Sequence, residues 1–179
     1  MTGEHDIVRY RLAPRYSAAI PALGCGLGLF TSPLADAVGA NGLVVGVDNS
    51  RNVIDHATQP VSESNVVSVR ADVSALPFRD SAFDAVYCLG TLDMSTDPMR
   101  TLNQAVRVLI PGGRLVIVAS RLPNNIASPV LQQWYRRAFG RRLFGHSELT
   151  GALEDRRIEQ IGQHIAGFTQ FVWGRRPKT

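Results

Sequence analysis

Five short apolar runs, at residues 18–23, 43–47, 66–69, 83–89 and 115–119, alternate with stretches of helical periodicity along the first 120 residues. This alternation restricts the chain more than any other feature. Strands that recur with a helix between them pair side by side in parallel, and the helices cover both faces of the sheet. Between the first two runs, Phe30, Leu34 and Val38 fall on one helical face. Ser32 and Pro33 read as a cap and first-turn proline there, and Gly39 as a stop. Residues 51–58 read as a helix that Pro60 ends. Asp97-Pro98 starts another, with Met99, Leu102, Val106 and Leu109 on its apolar face, and Pro111-Gly112-Gly113 reads as a turn into the fifth strand.

After Ser120 the pattern changes. Residues 128–139 and 147–154 read as helices, the second capped by Ser147. Strands near 158–165 and 169–173 are separated by little more than Gly167, which predicts a hairpin. Residues 1–17 are polar and mixed and read as a short helix or an arm. No repeat, low-complexity tract or linker divides the 179 residues, so one domain is expected over 1–179, with 1–17 as an arm or partial cap.

In an open parallel sheet, ligands bind beyond the carboxyl ends of the strands. The residues just past each run therefore carry the functional information. The first run enters Gly24-Cys25-Gly26-Leu27-Gly28. Glycines permit a sharp turn and close approach of a ligand to the backbone, and the helix that follows offers free amides. A dinucleotide loop would place its third glycine at position 29, which is Leu29. The two-and-two spacing disfavours NAD and fits an adenosyl ligand lacking a pyrophosphate. Asp48 follows the second run, where a carboxylate can accept hydrogen bonds from both ribose hydroxyls. Asp72 follows the third, where an acceptor can meet an exocyclic adenine amino group. Singly, each aspartate suits a turn; at three successive strand ends the features reinforce one another.

Residues 18–120 resemble the S-adenosylmethionine (SAM)-binding core of the class I methyltransferases, and within them the branch containing the ubiquinone and menaquinone C-methyltransferases. The resemblance rests on GCGLG at 24–28, VVGVDNS at 44–50, ADVSALPFRDSAFDAVYC at 71–88 and RVLIPGGRLVIVAS at 107–120. It implies a Rossmann-like α/β fold: a mostly parallel seven-stranded sheet with an antiparallel C-terminal hairpin strand, and helices on both faces. It further implies that Gly24, Cys25, Gly26 and Gly28 line the methionine part of SAM. Asp48 would bind the ribose, with Asn49 beside the adenine. Asp72 and Val73 would read the adenine edge, and Cys88 and Leu89 would contact the methionyl group through the backbone. Phe83, Asp84, Pro111 and Gly112 match the pattern as structural residues.

The chain departs from this family twice. Ala22 stands where an acidic residue usually helps hold the amino group of SAM; losing one charge-assisted hydrogen bond costs about 1.5–3 kcal/mol. About twenty residues precede the glycine loop, where many relatives have a longer helical cap.

Methyl transfer from a sulfonium is a direct displacement, so alignment and exclusion of water dominate, and a base is needed only when the acceptor must lose a proton. Candidates for that base are Asp93, after the fourth strand, and His146, followed by His5, Tyr10 and Tyr16. Cys88 follows Tyr87 rather than the proline that precedes a nucleophilic cysteine in cytosine methyltransferases, and reads as a small buried hydrophobe. After the fourth strand the chain reads Cys-Leu-Gly-Thr, without the motif of amino-group methyltransferases. Trp134, Tyr135, Phe139 and Phe144 fit either a pocket floor or helix packing. Neither cysteine has a metal-ligand spacing.

The net charge of +4 comes largely from four arginine pairs, at 136–137, 141–142, 156–157 and 175–176. They suit either an anionic partner such as nucleic acid or ordinary solvated faces. No apolar run reaches the ~20 residues of a membrane-spanning helix, and no secretory leader is visible, so a cytoplasmic location is expected. Three readings follow: a SAM-dependent methyltransferase of a small-molecule carbon or oxygen acceptor, as monomer or homodimer; a degenerate binding module of the same fold; and an RNA methyltransferase.

Overall fold

The computed structural model describes residues 11–26, 31–57, 64–122 and 129–178. Strands β1 (Ala19–Leu23), β2 (Leu43–Asp48), β3 (Val66–Arg70), β4 (Phe83–Leu89), β5 (Leu109–Ser120), β6 (Glu159–Ala166) and β7 (Thr169–Arg175) form one sheet in the order β3-β2-β1-β4-β5-β7-β6. The pairs β1–β2, β2–β3, β1–β4 and β4–β5 are parallel, whereas β7 is antiparallel to both β5 and β6. The described helices are α1 (Thr31–Val38), α2 (Arg51–Ala57), α3 (Thr91–Met94), α4 (Pro98–Val108), α5 (Pro129–Phe139) and α6 (Glu148–Glu154).

Strand side chains alternate between the two faces of the sheet, and the core divides accordingly. Leu23, Val86, Cys88, Leu115, Ile117 and Val172 pack with Leu102, Ala105 and Val108 of α4 and Leu149 and Leu153 of α6. Ala22, Tyr87, Val116, Val118 and Phe171 pack on the other face with Leu12 and with Leu34, Ala35 and Val38 of α1. Each fully buried aliphatic side chain contributes about 1.5–3 kcal/mol, so these two layers hold the helices to the sheet.

Three local expectations are corrected. Ser32 lies inside α1, which begins at Thr31, rather than capping it; Phe30 and Pro60 lie outside the described residues. Leu109 opens β5 with extended backbone, so the buried stripe of α4 is Thr101, Leu102, Ala105 and Val108. Pro111-Gly112-Gly113 does not separate helix from strand. It forms a bulge within β5, where the register with β4 jumps from Phe83↔Leu109 to Ala85↔Arg114. A Cβ on Gly113 would lie 2.9 Å from the Ile110 carbonyl oxygen and 3.0 Å from that of Asp84, so only glycine lets the bulge close. Asp84 accepts the Ala19 amide at 2.9 Å, satisfying a donor at the start of β1. The caps divide as well. Asp97 accepts the Arg100 amide at 2.9 Å, whereas Ser147 makes no side-chain cap bond and Glu148 instead accepts the Gly145 amide at 3.0 Å.

The chain runs outward from β1 to β3 and then crosses back to β4, so the strand order reverses between β1 and β4. A crevice opens at such a point beyond the carboxyl ends of the strands.

Candidate cofactor site and acceptor cavity

The glycine loop folds back over the end of β2. The Gly24 and Cys25 amides both donate to the Val47 carbonyl, at 2.8 and 3.1 Å. Gly24 has φ +66, and a Cβ there would fall 2.4 Å from Thr91 Oγ1. The Thr91 hydroxyl donates to the Leu23 carbonyl and so stitches β1 to the segment after β4. Gly26 has φ +53, and no atom of the described residues lies within 4 Å of its Cβ position. Gly24 is thus small for packing, and Gly26 faces open space. Gly28 lies outside the described residues. Cys25 points back toward the sheet, its Sγ 3.1 Å from where a Gly46 Cβ would stand. Burial, and then the Asp48 charge, push its thiol up to about 11.

Asp48 joins the loop to β2. Its Oδ2 accepts the Gly26 amide at 3.3 Å and its Oδ1 the Ser50 amide at 3.0 Å. A carboxylate has further lone pairs for a ligand hydroxyl. Asn49 is exposed, and its carbonyl accepts Arg70 Nε at 3.1 Å. The Ala71 amide donates to the Asp48 carbonyl, which ties the chain just before Asp72 to the end of β2. Asp72 is exposed and accepts the Ser74 amide at 2.8 Å. The bonds from Ser74 hold its carboxyl below the usual carboxylate range. Val73 is half-buried against the α4 side of the core.

The loop after Asp72 is pinned from α4. Arg107 donates to the Leu76 and Phe78 carbonyls at 3.0 and 2.8 Å and pairs with Asp80 at 2.7 Å. The Leu76 amide donates to Gln104 at 3.2 Å, and Arg100 Nε to the Ser74 carbonyl at 3.0 Å.

At the end of β4, Cys88 is fully buried, and burial alone lifts its thiol to about 12. It is an inert core group that can meet a ligand only through its backbone. Leu89 is half-buried, and Gly90 follows with φ +62 and open space at its Cβ position. Asp93, after the fourth strand, lies in the one-turn helix α3, 4% exposed. It accepts the Ser120 amide at both oxygens, at 3.1 and 3.0 Å, and the Ser120 hydroxyl at 2.6 Å. Desolvation raises its pKa in spite of these bonds. Residues 142–144 run alongside the end of β5, the Arg142 amide donating to the Asp93 carbonyl and the Phe144 amide to that of Ser120. Asp93, Met94, Thr96, Arg136 and Arg142 line a cavity of 340 Å³ there.

The other base candidates are not brought to this cavity. His146 is exposed outside its lining, and its carbonyl accepts Gln163 Nε2 at 2.7 Å. Tyr16 is 69% exposed and lies against Gly39, at the opposite end of β1. His5 and Tyr10 lie outside the described residues. The late aromatics separate: Phe144 is buried in the core, whereas Trp134 and Phe139 are exposed and pack edge to face on α5, with Tyr135 against Phe139. Three of the arginines from these pairs are held by separate partners. Arg142 pairs with Glu148, Arg156 ties α6 to Asn103 and the Met99 carbonyl of α4, and Arg176 bonds Ser81 and the Leu109 carbonyl.

Thr91, Gly90, Ser120 and Arg107 are the residues that sequence reasoning missed. Apart from the Arg107–Gln104 contact within α4, the bonds that give Thr91, Ser120 and Arg107 their roles span 27 to 68 positions, so no local spacing announces them. Among the described residues, no group of His, Cys, Asp and Glu is placed to hold a metal, and no helix is long and apolar enough to cross a membrane.

A family model described as a methyltransferase domain matches residues 22–117, from the penultimate residue of β1 to three residues before the end of β5. The chain belongs to this family. Its place is in the type 11 branch of the class I SAM-dependent methyltransferases. The 2-phytyl-1,4-naphtoquinone methyltransferase of Nostoc sp. is 36% identical over 142 residues, covering 74% of this chain and 62% of that protein. The demethylmenaquinone methyltransferase of Lactiplantibacillus plantarum is 32% identical over 164 residues, covering 87% of this chain and 67% of that protein. The chain thus spans about two thirds or less of the length of these relatives. A SAM-dependent methyltransferase from Aquifex aeolicus shares the fold, with a TM-score of 0.78 at 19% identity over 97% of this chain and 90% of that one. Geranyl diphosphate C-methyltransferase from Streptomyces coelicolor, solved with S-adenosylhomocysteine, gives 0.80 at 16% identity over 98% of this chain and 80% of that one.

Proposed function

We propose that the chain is a SAM-dependent methyltransferase acting on a carbon or oxygen of a small-molecule acceptor. The observation that carries this reading is the join between Gly26 and Asp48: an amide donating to a carboxylate, beside a glycine facing open space. When bound, SAM supplies an activated methyl group on a sulfonium. In this reading Gly24, Cys25 and Gly26, with Gly28, shape the backbone around its methionine part, helped by the backbone of Cys88 and Leu89. Asp48 takes the ribose hydroxyls, and Asn49, Asp72 and Val73 frame the adenine. Thr91 and Arg107 hold these loops in register. The acceptor enters the cavity beside Asp93, and the chain aligns it and excludes water. The names of the naphthoquinone and menaquinone relatives favour an aromatic, quinone-like acceptor.

A second reading, a non-catalytic binding module that has lost SAM, is favoured by Ala22. This side chain is 2% exposed and packs with the α1 side of the core, so it offers no polar group.

Isothermal titration with S-adenosylhomocysteine tests both. Micromolar binding that Asp48→Ala abolishes supports the enzyme reading. If neither the native chain nor Ala22→Asp binds, the degenerate module stands; if Ala22→Asp alone gains affinity, the site is intact but weakened.

A further inference from the structure

The amino ends of the strands, opposite the proposed cofactor loops, carry a cavity that the methyltransferase reading does not use. It encloses 380 Å³ between residues 12–15, the start of β4, the β5 bulge and the last residues of β7. This lies within the range of small-molecule sites, about 300–1,000 Å³. Its walls are of two kinds. Leu12, Pro14, Ile110 and Pro111 supply aliphatic surface, and Arg15, Arg114, Arg175 and Lys178 supply four cations. The one carboxylate in the lining, Asp84, already accepts the Ala19 amide.

Two of the guanidinium groups are held in place. Arg114 donates to the Ala13 and Leu12 carbonyls at 2.9 and 3.3 Å, and Arg175 Nε to the Gly112 carbonyl at 2.8 Å. These bonds consume one guanidinium nitrogen each and go to neutral oxygens, so both charges are retained. A tethered arginine loses little rotamer freedom on meeting an anion, which favours binding over that by a free side chain. Gly112, at φ +77, lets Lys178 and Arg175 close over the bulge; a Cβ there would stand 3.3 Å from Lys178 Cγ. The Gly112 amide donates to the Arg176 carbonyl at 2.9 Å, strapping the last strand to the wall.

We infer that this cavity is a second binding site, for a small organic anion: a phosphate or carboxylate head on an apolar body. The head meets Arg114, Arg175 and the exposed Arg15 and Lys178, and the body lies on the aliphatic wall. Concavity and the apolar wall select a small molecule over a nucleic-acid backbone, which calls for an open basic track. The seven residues of β4 separate this end from the cofactor loops by about 20 Å, so occupancy here leaves the cofactor site free.

The test uses the full chain with hexyl phosphate, hexanoate and inorganic phosphate as probes, followed by isothermal titration and thermal shift. Saturable binding of hexyl phosphate or hexanoate is expected, with inorganic phosphate weaker because it lacks the apolar body; the stronger organic probe identifies the head. Arg15→Gln with Lys178→Gln removes two exposed charges and leaves the tethered pair. It should weaken binding about tenfold, the effect of losing about one charge-assisted contact. S-adenosylhomocysteine binding should be unchanged in the same variant, which separates this site from the proposed cofactor site. Three results would overturn the inference: no saturable binding of either organic probe, binding that the double variant leaves intact, or competition with S-adenosylhomocysteine. Salt-steep RNA binding lost in the double variant, without binding of the organic probes, would replace it with a nucleic-acid surface.

Discussion

Gly24 and Gly26 share a left-handed backbone but answer to different neighbours. An alanine at either position costs about 1–2 kcal/mol of backbone strain. At Gly24 the added carbon also collides with Thr91 Oγ1, and overpacking adds about 1–3 kcal/mol. Gly24→Ala should therefore lower the melting temperature markedly. Gly26→Ala should melt within a few degrees of the native chain yet lose S-adenosylhomocysteine affinity, since its carbon meets no atom of the described residues and would enter the space proposed for the ligand. Titration and melting on the two variants separate the roles. Asp93 gives a second residue-level expectation. Its folded pKa is raised, so its ionisation opposes folding: stability attributable to it is full below its unfolded value and declines as pH rises through the folded value. Asp93→Asn gives up one acceptor for Ser120 but lacks this decline, so its stability deficit against the native chain should narrow as pH rises from acid to neutral, measured by urea unfolding across that window. If Asp93 is the base, the same variant loses turnover while still binding S-adenosylhomocysteine.

Between α4 and the Asp72 loop, Arg107 acts as a clamp, holding Leu76, Phe78 and Asp80 together. Arg107→Ala leaves several carbonyls without this partner, at a cost of about 1–3 kcal/mol. Cofactor affinity should fall as well, although Arg107 touches none of the proposed cofactor residues; hydrogen exchange should show the amides of 72–80 opening first. The strands themselves were legible in the sequence, because runs such as Leu115–Ala119 combine β-branching with punctuation by glycine or aspartate. The order of loops at their ends followed from the alternation. Helix α3 was not legible: four residues carry no periodicity. The β5 bulge was misread because Pro-Gly-Gly has the composition of a turn, and only the approach of the Ile110 and Asp84 carbonyls to Gly113 shows that the strand continues. Thr91 against Gly24, and Ser120 against Asp93, are pairings across the sheet that no local pattern encodes. One member of three of the arginine pairs, Arg142, Arg156 and Arg176, proved to be a structural tie at a different place in the fold, which charge alone does not announce.

At the scale of the molecule, each end of the sheet carries one of the two proposed sites. The carboxyl ends carry Gly26, Asp48, Asp72 and Asp93; the amino ends carry the basic cavity. Groups farther apart than about 7–10 Å with no shared partner contribute additively, within about 0.3–0.5 kcal/mol. Asp48→Ala combined with Arg15→Gln and Lys178→Gln should therefore show the sum of the separate losses in stability. A larger coupling, measured by a double-mutant cycle in urea, would mean that the sheet communicates between its ends. The strap of residues 176 and 177 onto Gly112 has a practical corollary. It fixes where the last strand leaves the body, on the face turned away from the proposed cofactor loops. Immobilising the chain on a sensor surface through its carboxyl-terminal residues would thus leave those loops facing the solution, while shading the basic cavity at the point of attachment.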